Sequence, residues 1–289
     1  MASKGLIKRV RQLQQKKYRS QTNQFVVEGS RAITEFIKNK DAFDCVHLLT
    51  TKEQAEVVVH RGVLDHVVDV GPRYQSVTPS EMSKMTGLST ACDSLAVFQR
   101  KLPDETAEEV RQNFRDSQLS LALDSVRDPG NLGTLIRLCD WFGMRNLLLS
   151  SDCCDCYNPK VVRATSGSLA RVRVRYADCL GSELRSLRVP LVGASMEGQS
   201  VYDLELPLRL KDGETAPDGA GGLVLVMGSE GQGLSNEVES ALHGLVSIPS
   251  YPFEGGDVLD GDNEAESLNV AMAAGILISE MKRRLWEQR

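Results

Sequence analysis

Residues 121–143 read LALDSVRDPGNLGTLIRLCDWFG. A short apolar run ends at Asp124, passes through Asp128-Pro129-Gly130-Asn131-Leu132-Gly133, and opens into a helical pattern that carries a lone arginine, Arg137. A polar strand-to-helix turn of this kind is where open α/β sheets hold a ligand or a reacting group. Part of its composition is local chemistry: Asp128 or Asn131 caps the helix, and the glycines permit the turn. Capping does not account for Arg137, which lies one helical turn beyond Gly133 and projects on the same face. The stretch has no G-x-x-x-x-G-K-[ST] pattern, which argues against a nucleotide-triphosphatase loop.

Downstream, the same arrangement recurs. Strands are expected at Leu119–Asp124, Arg145–Leu149, Val189–Ala194, Gly222–Met227 and Leu245–Ile248, with helices between them and a final helix from about Ser267 to Trp286. Near-continuous apolar runs such as LVLVM suit parallel strands buried on both faces. A second motif, Leu225-Val-Met-Gly-Ser-Glu-Gly-Gln-Gly-Leu-Ser235, again carries a strand into a glycine-rich turn holding an acid, Glu230. Its glycines at 228, 231 and 233 lack the spacing of a dinucleotide fingerprint. A third runs from Val246-Ser-Ile-Pro249 through an acidic, glycine-rich stretch to Glu266-Ser-Leu-Asn-Val-Ala271. Ser267 is a natural N-cap for the last helix. Asn269 would then fall inside the first turn, where a buried amide needs partners.

Upstream lies a smaller alternating α/β unit, with strands expected at 25–28, 45–49, 66–70 and 95–99 and helices near 4–15, 30–38, 52–59 and 79–85. Leu102–Ser117, LPDETAEEVRQNFRDS, is charged and poor in apolar residues and reads as a linker. The division is therefore 1–101, a linker at 102–117, and 118–289. The segment 209–222 reads as a surface loop.

A net charge of −5 argues against a generally cationic nucleic-acid binder. The distribution is uneven, however: Lys4, Lys8, Arg9, Arg11, Lys16, Lys17 and Arg19 all precede the first acid, Glu28. Such a block suits either a phosphate backbone or a solvated helix face. Seven cysteines, an odd number, do not resemble a disulfide framework and indicate a reducing cytoplasm. The cluster Asp152-Cys-Cys-Asp-Cys156 has no second Cys/His pair at zinc spacing and reads as a strand-end loop with incidental thiols, so no metal is expected. The longest apolar run is too short to cross a bilayer, so no membrane span is expected. The first residues lack the apolar core of a secretory signal, so export is not expected; their basic, amphipathic character leaves an organellar presequence as the lesser alternative to the cytoplasm.

Taken in order, D-x-x-x-D-P-x-N-x-G-x-x-x-R, then G-S-E-G-x-G-L-S, then I-P followed by S-L-N-V-A resembles the signature set of the SpoU/TrmH class of SPOUT RNA ribose 2′-O-methyltransferases. The resemblance covers about Leu119 to the end of the chain. The N-terminal KGLIKRVRQLQQKKYR and FVVEGSRAITEFI resemble the ribosomal-protein-like RNA-binding domain that many members carry. The implied fold is a trefoil-knotted parallel sheet with flanking helices, beside a smaller N-terminal α/β domain. S-adenosylmethionine is the implied cofactor, contacted by Gly228, Ile248 and Leu268 mainly through backbone groups. Asn131, Arg137, Glu230, Ser267 and Asn269 match the active-site positions. A homodimer with the final helix in its interface is implied too.

Methyl transfer to a ribose 2′-oxygen is an in-line displacement that depends on alignment and proton removal. A guanidinium with a pKa above ~12 rarely acts as a base. Arg137 is therefore expected to hold a phosphate and the developing alkoxide, as an oxyanion hole does, with the proton leaving through Ser267 or water. Glu230 is expected to orient Arg137 or Asn131. Ribosomal RNA is the favoured substrate. Transfer RNA is the alternative, and a catalytically silent RNA-binding or ribosome-assembly protein is the rival outside enzymology; a nucleotide-dependent oxidoreductase or kinase lacks its fingerprints. One departure from the family pattern is the insert between Pro249 and Ser267, which brings Glu254, Asp257, Asp260, Asp262 and Glu264 beside the RNA site.

Overall fold

The computed structural model describes residues 2–53, 73–88, 90, 92–101, 105–204, 222–251 and 267–287. The expected strand at 66–70, nearly all of the helix at 52–59 and the loop at 209–222, and the acidic part of the insert lie outside the described residues. The chain divides into two compact units. The first comprises Met1–Asp104 with Asp155–Arg171, the second Glu105–Cys154 with Val172–Arg289.

The first unit is built on a mixed sheet of order β1-β4-β2-β3, formed by β1 (Gln24–Glu28), β2 (Phe43–Thr50), β3 (Arg73–Ser76) and β4 (Ser94–Arg100). β4 runs antiparallel to β1 and β2, whereas β3 is parallel to β2. Helix α1 (Lys4–Gln12) starts where Ser3 Oγ accepts the Leu6 N–H, and it buries Leu6 and Val10, one turn apart. The chain then forms α2 (Lys16–Thr22) and, after β1, α3 (Ser30–Lys38). Helix α4 (Pro79–Met85) begins with a capping box, Thr78 with Glu81, and with Pro79 at its first position. Leu6, Val10 and Leu13 pack with Met82, Met85, Leu95 and Val97, which seats α1 beside α4. Phe25, Phe36, Phe43 and Phe98 form a second aromatic core, with Phe36 and Phe43 edge to face at 4.9 Å.

Within this unit, residues 155–171 contribute a helix, numbered α7 below (Pro159–Ala164), and a 3-10 turn. Arg19 is buried and gives two N–H groups to Asp155, at 2.6 and 2.9 Å, and a third to the Leu13 carbonyl at 2.9 Å. Arg19 is therefore set apart from the exposed cations of the N-terminal block, since three of its N–H groups are used inside the fold. Arg163 pairs with the buried Glu28 at 2.8 Å. Asn158 caps α7, its side-chain oxygen accepting the Lys160 N–H at 3.0 Å.

The second unit opens with α5 (Ala107–Arg115), which occupies most of the expected linker. A capping box, Thr106 with Glu109, starts it, and Val110 and Phe114 bury one edge. Two large apolar residues in nine are too few for periodicity to announce a helix, which is why the stretch reads as a linker. The sheet is parallel throughout, in the order β10-β8-β9-β5-β6-β7. Its strands are β5 (Ser120–Leu123), β6 (Asn146–Ser150), β7 (Arg173–Ala177), β8 (Leu191–Ser200), β9 (Val224–Met227) and β10 (Gly244–Ser247). Its helices are α6 (Pro129–Trp141), α8 (Leu180–Leu187), α9 (Asn236–Glu239) and α10 (Val270–Glu287). β5, β6 and β9 are buried at every position, as their apolar runs require. From β5 the chain builds outward through β6 and β7, then returns to place β8, β9 and β10 on the other side. The direction of strand order thus reverses between β5 and β9, and crevices at carboxyl ends beside such a reversal are the usual ligand sites of open α/β sheets. Among the described residues no helix is long and apolar enough to cross a membrane.

Candidate active site

β5 and β9 are neighbours in register, Leu123 opposite Met227, so the turns that follow them emerge side by side. The first turn enters α6. Asp128 is its N-cap, accepting the Asn131 N–H at 2.8 Å, and Pro129 opens the helix. Asp128 therefore supplies the cap, which leaves the Asn131 side chain for another task. The second turn, after β9, folds back on itself through reciprocal backbone bonds between Ser229 and Gly233, 2.9 and 3.0 Å. A Cβ on Gly228 would lie 2.2 Å from the Gly233 carbonyl carbon, and Gly233 has φ +67°, so both glycines are requirements of this turn.

Three side chains meet where these turns face the start of α10. Asn131 Nδ2 donates to Glu230 Oε1 at 2.9 Å. Asn269 Nδ2 donates to Glu230 Oε1 at 2.7 Å and to Asn131 Oδ1 at 2.9 Å. The Val270 N–H also points at Glu230 Oε1, at 3.4 Å. Asn269 Oδ1 meanwhile accepts the N–H groups of Ala271 and Met272, at 3.0 and 3.3 Å. Asn269 is thus the cap of α10, and the helix begins at Val270 rather than near Ser267. Ser267, Leu268 and Asn269 are all exposed, so Asn269 is not the buried first-turn amide expected from sequence. Its partners are the two residues that the other motifs supply.

Arg137 is exposed on α6, and among the described residues it makes no ion pair or hydrogen bond. Of the two groups Glu230 was expected to orient, it engages Asn131. Gly228 belongs to the β9 turn, Ile248 is half-buried just beyond β10, and Leu268 is 45% exposed immediately before Asn269.

Two supporting carboxylates escaped the sequence reading. Asp124, 4% exposed at the end of β5, accepts the Ser235 N–H at 2.7 Å and so ties the β9 turn to its neighbour. Its place in the D-x-x-x-D spacing was the available signal. Asp152 accepts from Ser125 Oγ at 2.8 Å, Arg127 Nη2 at 2.7 Å and Ser150 Oγ at 2.7 Å. The Arg127 guanidinium and then the Ser150 hydroxyl pull its carboxyl down from 3.8 to about 2. Cys153 Sγ accepts the Val126 N–H at 3.3 Å and lies 3.4 Å from the Leu123 carbonyl. These bonds hold Ser125 at φ +58°, a strained value for serine, and fix the path into the Asn131 turn. Cys153 is therefore a structural thiol rather than an incidental one. Among the described residues no group of three or more His, Cys, Asp or Glu is disposed to hold a metal.

Comparison with known proteins bears on this geometry. Residues 118–279 match the model of the SpoU rRNA Methylase family, and residues 4–95 match the MRM3-like substrate binding domain. The chain is 27% identical to the Bacillus subtilis 23S rRNA (guanosine(2553)-2′-O)-methyltransferase RlmP, over 96% of this chain and 95% of that one. A putative RNA methyltransferase of the TrmH family from Porphyromonas gingivalis superposes with TM-score 0.74 at 31% identity, covering 98% of this chain and 99% of the other. The AdoMet-bound rRNA methyltransferase of Sinorhizobium meliloti gives TM-score 0.77 at 25% identity, over 99% and 97% of the two chains.

Proposed function

This chain belongs to the SpoU rRNA methylase family, and from that premise we propose that its substrate is ribosomal RNA and that the residues converging on Glu230 form the catalytic centre. It is an RNA ribose methyltransferase that uses S-adenosylmethionine. The observation that carries the site assignment is the hydrogen-bonded triangle of Asn131, Glu230 and Asn269. Three motifs separated by up to 138 residues supply one member each and meet at the ends of adjacent parallel strands.

The residues present suit the cofactor. Leu268 and Ile248 offer apolar surface for an adenosyl group, and the ionisable member of the triangle is a carboxylate, compatible with a sulfonium cation. Gly228, Ile248 and Leu268 are the residues that would hold it. When bound, it supplies an electrophilic methyl group. The chain's own task is then to align the ribose hydroxyl and take up its proton. Glu230 holds Asn131 and Asn269 in one orientation, so their rotamers are set before substrate arrives. Arg137, with its donors uncommitted, steadies a phosphate and the developing 2′-alkoxide. Ser267, exposed two residues before Asn269, relays the proton to solvent.

Residues 1–101 are assigned as the RNA-selecting domain and 118–289 as the methyltransferase domain, with α5, part of the second unit, lying in the 102–117 segment. The reading includes a trefoil knot in the parallel sheet. A homodimer is supported by Trp141 at the end of α6 and Met272 on α10, exposed to 84% and 62%. A cytoplasmic setting is supported by the seven cysteines, an odd number that does not resemble a disulfide framework.

The test is transfer of labelled methyl from S-adenosylmethionine to ribosomal and transfer RNA from cells lacking the protein, followed by nucleoside analysis. A labelled 2′-O-methylnucleoside from the ribosomal fraction is the expected product. Label confined to transfer RNA overturns the substrate assignment, and no label in either fraction overturns the catalytic one.

A further inference from the structure

The first unit carries a groove of about 400 Å³ between α1 and α4, lined by Lys4, Ile7, Lys8, Arg11, Gln12, Gln15 and Lys84. Four cations face it, and no acid lines it. All four are exposed, and among the described residues none makes an ion pair or a side-chain hydrogen bond. The nearby acid on α4, Glu81, is already engaged: its carboxylate accepts the N–H groups of Ala2 and Thr78, at 2.9 and 2.8 Å. Like charges this close are retained against their own repulsion, which favours an anionic occupant.

The shape narrows the choice. Lys4, Lys8 and Arg11 stand at i, i+4 and i+7 on one face of α1, which sets them about 6 and 4.5 Å apart along the axis. Lys84 opposes them from α4, and Ile7 with two glutamine amides completes the lining. A row of cations about 10 Å long, facing a fourth across a groove, follows the phosphates of one strand. Readers of double-stranded RNA instead span about 16 base pairs over a broad surface. The apolar side chain gives a base face something to rest on, and the amides can bond base edges or a 2′-hydroxyl.

We propose that this α1–α4 groove seats an unpaired segment of the substrate RNA, with Lys4, Lys8, Arg11 and Lys84 on its phosphates. The proposal rests on the reading of the chain as an RNA methyltransferase and deepens it. It selects three residues from the N-terminal cation block, adds Lys84, which lies 65 residues beyond the end of that block, and leaves Arg19 out.

The experiment uses the full chain and a labelled oligouridylate of about 12 nucleotides, within the site sizes of single-strand binders. Lys8→Glu with Lys84→Glu is expected to weaken binding about tenfold or more and to flatten the log affinity versus log salt slope by about 1.4, the contribution of two phosphate contacts on a single strand. Lys38→Glu with Lys40→Glu, the same charge change at the end of α3, is expected to alter affinity by less than about threefold. Equal losses in the two pairs would reveal a diffuse field and overturn the groove. So would undiminished affinity in the first pair, or a fully paired duplex that binds as tightly and with the same sensitivity. All four positions are exposed, so unchanged melting temperatures are expected and separate a binding loss from misfolding. Methyl transfer by the unaltered chain to ribosomal RNA tests the enzymatic reading separately: its failure leaves these affinities readable, and failure of the groove leaves methyl transfer intact.

Discussion

Asn269 serves two structural ends with one side chain. Its oxygen caps α10 and its nitrogen holds Asn131 and Glu230. The two roles separate by substitution. Asn269→Asp keeps the cap but sets a second carboxylate against Glu230, so turnover should fall about 100-fold in single-turnover methyl transfer while the melting temperature holds. Asn269→Ala should lose turnover and about 1 kcal/mol of stability as well. Turnover like the parent's in both variants would remove Asn269 from the site. Arg137→Ala should lower turnover about 10²- to 10³-fold, the scale of a lost oxyanion donor, with cofactor affinity by calorimetry nearly unchanged. At this scale the sequence was informative: the motif residues Asn131, Glu230 and Asn269 were each legible. Ser267 was misplaced as the cap because serine and asparagine cap almost equally well, and only the hydrogen bonds to Ala271 and Met272 decide between them.

Elements are held in place by buried or clustered charges that no local pattern announces. Arg19, midway along α2, gives three N–H groups to Asp155 and the Leu13 carbonyl. Arg19→Ala should destabilise the first unit by about 3 kcal/mol, because a buried ion pair that loses one partner leaves a stranded charge. Its RNA salt slope should stay as in the parent; a lowered slope with unchanged stability would return Arg19 to the RNA-facing block. The loop after β6 makes a pH prediction. Asp152 is depressed to about 2 when folded against 3.8 ordinarily, so its contribution is present above about pH 4 and is lost as pH falls through about 2. Urea midpoints measured across that range should show the loss in the parent, and Asp152→Asn should flatten it. The buried strands β5, β6 and β9 were visible as apolar runs, whereas β7, RVRYA at the sheet edge, is largely exposed and gives no such signal. Helix α5 was missed for the same reason.

For the whole molecule, four of the exposed large apolar side chains, Trp141, Met272, Ile276 and Trp286, lie on α6 and α10, which pack against each other with Leu138 beside Gly275. Met272 and Ile276 stand one turn apart on α10, exposed to 62% and 37%, with Trp141 at the end of α6. Met272→Glu with Ile276→Glu should convert a dimer to a monomer in sedimentation equilibrium, with the monomer still folded by circular dichroism. An unchanged mass would place the interface elsewhere, and a parent that sediments as a monomer would discard the dimer.

Local chemistry, read in order along the chain, determined the α/β class, the buried parallel strands, the glycine turns, the Asp128 cap and the family likeness, because each depends on neighbours within a turn or a strand. Only the tertiary structure decided that β9 lies beside β5, and with it that Glu230 meets Asn131 and Asn269. It also decided which cations of the N-terminal block remain uncommitted, since Asp155 claims Arg19 across 136 residues of chain. Strand order and charge pairing are contacts between residues remote in sequence, selected by burial and by the cost of leaving polar groups unpartnered, and neither leaves a periodic trace in the chain.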